Sequence, residues 1–556
     1  MNWSAQRIWL PGLLLAVAVA GCSSAHYRDA ADRAAYGAIR QKSPAVKNMD
    51  PAFTIEQTNV LDLVNLPVVT NAVDYLGADG EAERGASRVR LEDALRIAIH
   101  HSRSYQSRKE QLYLSALALT LARHQFTPIF SAGGRAAYNV TATESPALSD
   151  HFVEDRSVSS SGDAGESWLI RDVGKITTAF TTDFLRFVSG DPRLAVSSSL
   201  SAKFVRPLWR NAGYKSEMES LTQAERDLLY ALRDFTQYRK DFSVGIASAY
   251  YNVLGNRDAV RNSFLNLQSS RRNADRTRAL AQEGRVAGTD LGRQEQQELT
   301  AESAWINAVR SYKQALDNFK IQLGLQVDAN LVLEDGELAA LQIQHPDIGV
   351  EDSTKLALAA RLNYMTTKDQ LEDAERKVKV VENFLKPRVD LLTGGSISSD
   401  ENRNRFLPDP QRYAWNAGLD VDLGLDRASE RNSYRAALIT RNRAARALEE
   451  QEDQIKLQVR DGWRTLDQAK RNYEISEIGV HIAERRVENQ SLLAEFGRSR
   501  AQDQVDAQND LIASKNQRTQ ALVTHTIARL QFWNNMGILY IKANGQWEEV
   551  QNAKTK

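Results

Sequence analysis

Cysteine is almost absent: Cys22 is the only one in 556 residues, so no intramolecular disulfide braces the chain. Beyond the first two dozen residues no apolar run reaches the roughly 18 positions that a membrane-crossing helix needs. If the mature chain crosses a membrane, it does so as strands of a closed barrel. Net charge is missing too, because 71 basic residues balance 71 acidic ones, which leaves no electrostatic footprint for nucleic acid. Catalytic groupings are also lacking: there is no phosphate loop and no paired metal-ligand spacing. His100, His101 and His124 fall at positions that read as helix surface or packing, and Asp420 and Asp422 alternate along a strand as lumen lining rather than general acids. The reading is therefore no enzyme, no cofactor and no metal.

Proline is scarce, with 12 in all and none between Pro207 and Pro346 or after Pro410. These gaps hold the longest helical patterns. Upstream of the stretch Phe496-Gly-Arg-Ser-Arg-Ala-Gln-Asp-Gln-Val-Asp-Ala507, residues 427–495 carry an apolar stripe at helical spacing (Ile455, Val459, Trp463, Leu466, Tyr473), and Asp503 to Met536 reads the same way. Two long helices meet at this turn. A proline-free segment of about 70 residues is on the order of 100 Å long as a helix, so it needs coiled-coil neighbours along its whole length. A shift of 213 positions superposes Gly284-Arg285 on Gly497-Arg498, Asp290 on Asp503, Tyr250 on Trp463, Phe319 on Phe532 and Gly324 on Gly537. Such a common register argues for internal duplication. A shift of 259 relates the helical stretch ahead of Pro128 to that ahead of Pro387, with Tyr105 answering Tyr364.

The N-terminus carries a further signal. Arg7 precedes a short apolar run, Leu10 to Ala20, and Val19-Ala20-Gly21-Cys22 looks like a bacterial lipobox. Resemblance to bacterial lipoproteins implies removal of residues 1–21 as a signal peptide and acylation (palmitate) of Cys22. Ser23 at the next position implies sorting to the outer membrane.

Between the helices the hydropathy period switches to two. In Tyr413 to Leu423, Tyr413, Trp415, Ala417, Leu419, Val421 and Leu423 alternate with Ala414, Asn416, Gly418, Asp420 and Asp422, as a lipid-facing barrel strand requires. Leu194 to Phe204 repeats the pattern, while Pro128 to Val140 and Arg388 to Ile397 are thinned by Gly133, Gly134, Gly394 and Gly395. A half-buried sheet of a soluble domain would look the same locally. Comparing the two offsets gives the first half 46 extra residues, which fall most naturally in 141–191; its Ser, Asp and Gly-rich composition suits a long exposed loop, with Ile176 to Phe187 as a candidate ribbon. Phe406 to Pro410 is the shorter loop of the second half.

The expected order is a signal peptide (1–21), a lipidated extended arm (22–90), the first-repeat helix (91–127), a strand pair with its long loop (128–209) and a first long hairpin (213–324). After an inter-repeat linker (325–352) come the second-repeat helix (353–386), a second strand pair (387–424), a second long hairpin (427–537) and a tail (538–556). The fold class is an α+β membrane protein built from a duplicated helix, strand, strand, long hairpin unit. Four strands per chain cannot close a barrel, and open edges are not tolerated in hydrocarbon. Several chains must pool their strands.

Over nearly its whole mature length the chain resembles the TolC family of outer membrane efflux proteins. The match rests on the duplicated tips (Gly284 to Asp290; Gly497 to Asp506), on Phe204-Val-Arg-Pro-Leu-Trp-Arg-Asn-Ala-Gly213, similar to the family's strand-to-helix junction, and on the lipobox. The resemblance implies a homotrimer with a twelve-stranded transmembrane barrel continuous with a periplasmic coiled-coil tunnel. It also implies docking to a periplasmic adaptor (membrane fusion) protein of an inner membrane transporter, in an efflux or type I secretion system. Asp503 and Asp506, three apart and so on one helix face, match the family's periplasmic constriction, where a trimer would hold six carboxylates. As isolated residues they read rather as ordinary first-turn carboxylates favoured at a helix N-terminus. Asp290 matches a family acid that pairs with an arginine of the second tip; Ser499 stands at that arginine's position, flanked by Arg498 and Arg500. Gly284, Gly288 and Gly497 fit turns, and with Arg285 and Arg498 they form the implied adaptor-docking tips. The rival reading is a periplasmic coiled-coil lipoprotein scaffold without channel activity, with the same helices and its strands in water.

Overall fold

The structure, a computed structural model, describes residues 23–56, 66–144, 152–171, 173–189, 194–400, 404–496 and 498–548. Cys22 and the expected signal peptide (1–21) lie outside them, as does Gly497. The elements run α1 (Ser24–Lys42), β1 (Ser87–Val89), α2 (Leu91–His101), α3 (Arg103–His124), β2 (Ile129–Glu144), β3 (Phe152–Ile170), β4 (Gly174–Ser189), β5 (Leu194–Pro207), α4 (Glu219–Gln282) and α5 (Gly288–Leu323). They continue with β6 (Leu331–Leu333), α6 (Val350–Ala360), α7 (Leu362–Asn383), β7 (Arg388–Asp400), β8 (Asn404–Asp422), α8 (Ala428–Glu495) and α9 (Ala501–Asn535). The chain divides into two compact units, one formed within residues 1–42, 113–230 and 367–447, the other within 43–112, 231–366 and 448–556.

The duplication is carried into the coordinates. Both α2 and α6, and both α3 and α7, begin and end 259 positions apart, while α4 and α8 end 213 apart. Each expected single helix ahead of a strand is two helices, broken at Ser102 (ψ 122°) and at Arg361 (ψ 124°), where the backbone becomes extended.

The first unit holds one antiparallel sheet in the order β2-β3-β4-β5-β7-β8. Of the expectation of four strands and a long loop, the candidate ribbon at Ile176 to Phe187 lies within β4, and the rest is corrected: residues 152–170 and 174–189 form two full strands. Composition misled, because Ser and Gly supply no hydrophobic pattern, and the strands are fixed by ladder pairing instead. Phe406 to Pro410, expected as a loop, lies inside β8, where register shifts near Ser399 and Asp400 absorb the irregularity. The extended arm is corrected as well. Residues 24–42 are helical and bury Ala35, Ala38 and Ile39, a stripe of small side chains that ends just before Pro44. Lys42 and Arg123 clamp Glu225 at 2.6 Å each, holding its carboxyl below the ordinary range against the opposing effect of burial.

In the second unit the long helices bury seams at coiled-coil spacing, Ile455, Val459, Leu466, Ala469, Ser476, Val480 and Ala483 on α8 and Tyr312, Leu316, Phe319 and Leu323 on α5. A 68-residue helix is on the order of 100 Å long, and such seams, rather than propensity, stabilise it. Near the helix bases the core closes around Tyr250 and Phe319, edge to face at 6.0 Å, and in the second repeat around Phe532, Val459 and Met536. The inter-repeat segment is part of this core rather than a plain linker: β6 pairs in parallel with β1, and Leu331, Val332 and Leu333 are each buried. The tail is anchored too, with Leu539 and Ile541 buried and Ile541 bridged to Trp547. Buried Arg257 gathers Glu83 (2.9 Å), Asp335 (3.1 Å) and the hydroxyls of Tyr75 and Tyr312. Lys240, buried, donates to the Gly537 carbonyl at 2.8 Å beside the end of α9, and burial pulls its pKa down to about 8.

Candidate functional site

Two places carry the sequence-derived expectations: the hairpin tips in the second unit and the sheet in the first. The first tip reverses through Gly284 at φ +74°, a conformation glycine adopts without steric cost. Arg285 N donates to Leu280 O at 2.9 Å, a Schellman-type closure. At the second tip Arg498 N donates to Leu493 O at 2.8 Å, the same bond 213 positions later. Gly288, expected within the turn, instead opens α5, and its φ is not positive.

The tip side chains are arranged as follows. Asp503 is exposed in the first turn of α9, and Asp506 is half-buried and accepts from Gln502 Nε2 at 2.8 Å. Asp290 lies 3.9 Å from Arg293 on its own helix. Among the described residues of one chain, neither Arg498 nor Arg500 pairs with Asp290; both are exposed, while Ser499 between them donates to Gln490 at 2.8 Å. Arg285 is exposed, 3.5 Å from Glu283, and Phe496 is bare to solvent at 75 %. What joins the two hairpins was not anticipated. Buried Gln294 donates to Ala501 O at 3.3 Å, Gln297 to Asn509 at 2.9 Å, Asn262 to Asn516 at 2.8 Å and Thr519 to Asp258 at 2.7 Å. Polar residues at seam positions fix the register of a coiled coil at some cost in stability. They interrupt the apolar stripe, which was the signal available in sequence.

In the sheet, hydrogen-bonded register decides which side chains share a face. One row runs Ala132, Ala164, Phe180, Leu200, Ile397, Tyr413 across all six strands. A row of the opposite face runs Ile129, Ser167, Thr177, Lys203, Gly394, Asn416. Large apolar groups of the first face, Phe130, Tyr413 and Trp415, are 70–76 % exposed, far beyond what scattered surface residues need. The opposite face is polar, with Arg388 bonded to Asp420 at 2.9 Å and Thr181 to Ser199 at 2.7 Å. The Gly133 and Gly394 positions leave room for Asp163 and Asn416, whose side-chain oxygens approach within 3.0 Å and 2.9 Å of where a Cβ would stand. Asp422, expected beside Asp420, accepts from Gly424 N at the strand's end. The outer strands β2 and β8 each have one neighbour within the chain. No described helix is long and apolar enough to cross a membrane.

Compared with solved structures, the chain matches the CmeC outer membrane channel of Campylobacter jejuni with a TM-score of 0.60 at 12% identity, covering 91% of this chain and 96% of that one. The outer membrane protein VceC of Vibrio cholerae gives 0.60 at 14%, covering 80% and 96%. The open-state MtrE outer membrane channel of Neisseria gonorrhoeae gives 0.57 at 13%, covering 81% and 89%. The chain has the outer membrane channel fold. No protein-family model and no curated protein sequence matches it.

Proposed function

We propose that the protein is the outer membrane exit duct of a tripartite efflux or type I secretion system, a passive homotrimeric conduit anchored by lipid at Cys22. The observation that carries the reading is the sheet: apolar on one face, polar on the other, open at both edges, in a chain with the channel fold. Unpaired strand edges are untenable in hydrocarbon, so the edges β2 and β8 are completed by copies of the same chain. The polar face then lines water and the apolar face meets lipid.

At the periplasmic end, Asp503 and Asp506 of three chains form a ring of carboxylates that draws cations and resists anions while narrow. Asp290 pairs across chains with Arg498 or Arg500, whose side chains are exposed in the single chain. The tips around Gly284, Arg285, Gly288 and Gly497 dock the periplasmic adaptor of an inner membrane transporter, with Phe496 as an added apolar contact. In planar bilayers the double variant Asp503→Ala, Asp506→Ala is expected to show larger unit conductance and weaker cation preference. Unchanged conductance and selectivity would remove the gate assignment.

A further inference from the structure

The hairpin β3–β4 lies between β2 and β5, in residues whose composition suggests a surface loop. Its register says otherwise. Lys175 pairs with Val205 and Ser167 with Ile129, so the turn after Ile170 lies level with the ends of β2 and β5 that lead to the helices. Gly174 seals that level: at φ +136° its missing Cβ would stand 2.3 Å from the Val205 carbonyl oxygen. From there β4 runs beside β5 as far as Arg186, opposite Leu194. The hairpin therefore spans the height of the sheet and is not an appendage on its rim.

Charge is sorted along the same stretch. On the face shared with Leu200 and Tyr413, no charged residue of β3 or β4 falls between Glu166, which is opposite Thr178, and Arg186; the positions are Ala164, Gly162, Ser160, Phe180, Thr182 and Phe184. On the other face the same stretch carries Asp163 and Asp183. Eight residues separate the levels of Thr178 and Arg186, about 26 Å along a strand, which at a tilt of about 40° is about 20 Å of height, most of the roughly 25 Å apolar band of an outer membrane barrel. Glu166 marks one border beside Trp168, an arrangement suited to an interfacial aromatic belt. A loop in water has no physical reason to segregate its carboxylates.

We propose that β3 and β4 are membrane-spanning wall strands, so that each chain contributes six strands and three chains close a barrel of eighteen. This rests on the channel reading above. With strands about 4.8 Å apart and tilted about 40°, eighteen strands give a backbone diameter of about 36 Å against about 24 Å for twelve. The wider bore suits bulky polar cargo, because its lining is hydroxyl-rich with charges of both signs.

The test places single cysteines in the full-length protein, reconstituted in phosphatidylcholine vesicles whose acyl chains carry a mid-chain nitroxide quencher. The parent protein, with Cys22 alone, sets the background. A bimane label at Phe180→Cys, or at Phe184→Cys should the first variant not assemble, is expected to be quenched as strongly as one at Leu200→Cys or Trp415→Cys. Thr181→Cys is expected to stay unquenched and to react with a water-soluble maleimide. Quenching at Leu200 and Trp415 without quenching at Phe180 and Phe184 would overturn the wall assignment and leave the channel standing. Quenching at none of the four would remove both.

Discussion

His525 shows what a single buried side chain costs. It is fully buried on α9, neither ring nitrogen has a partner among the described groups, and the His345 ring lies 6.4 Å away. Burial, with Arg529, His345 and Lys470 adding positive charge around it, lowers its pKa from 6.5 to about 4. His345 is likewise lowered, chiefly by burial and then by Lys470, against Asp467 and Glu474. A base whose folded pKa is depressed is neutral in both states above 6.5, so its contribution there does not vary with pH. As pH falls from about 6.5 toward 4 the unfolded chain takes up a proton that the folded chain refuses, and stability is lost. Thermal unfolding midpoints measured from pH 7.5 to 4.5 should therefore fall less steeply for His525→Phe than for the parent. Parallel curves would show that His525 is not the group responsible. Nothing in the sequence marks this residue, and the ring nearest it in the fold, His345, is 180 positions away.

At the scale of elements, the helix ends show how the duplication is built. Gly324 closes α5 at φ +83° and Gly537 follows α9 at φ +75°, 213 positions apart. Each packs against the end of a short helix whose counterpart is 259 positions away: His101 for Gly324, Ala360 for Gly537. An added Cβ at Gly324 would lie 2.0 Å from the His101 carbonyl oxygen, whereas at Gly537 the nearest atom is at 3.1 Å, and at Gly284 nothing lies within 4 Å. All three share the left-handed backbone cost of roughly 1–2 kcal/mol for alanine, but Gly324 adds an overpacking cost of roughly 1–3 kcal/mol. Denaturant midpoints should rank Gly324→Ala below Gly537→Ala and Gly284→Ala highest. Equal losses at all three would mean the close approach to His101 relaxes freely. These elements were legible beforehand because glycine pairs and proline-free stripes leave clear marks. The α1 helix and the β3–β4 hairpin were not, since alanine stripes and serine-rich strands have little hydropathy contrast; only Ile176, Phe180 and Phe184 hinted at a period of two.

At the scale of the molecule, the sheet and the hairpins impose different demands. In the proposed channel the sheet takes partners for β2 and β8, and its exposed aromatic face meets lipid. The hairpins already satisfy one another through amide contacts such as buried Gln297 to Asn509, so their demand is for register rather than for more apolar burial. The long helical hairpins and the turns that close them were readable from duplication and periodicity. The strand count was not, because six rather than four emerges only from pairing. Among the described residues of one chain, Asp290 pairs with Arg293 rather than with Arg498 or Arg500, and a pair across copies belongs to the proposal. The central claim is that several copies close into a hollow conduit, and the most direct measurement images particles extracted from outer membranes with detergent while weighing them by native mass spectrometry. A three-chain particle with a continuous axial passage is the expected result. A solitary, water-soluble chain with no passage would contradict it.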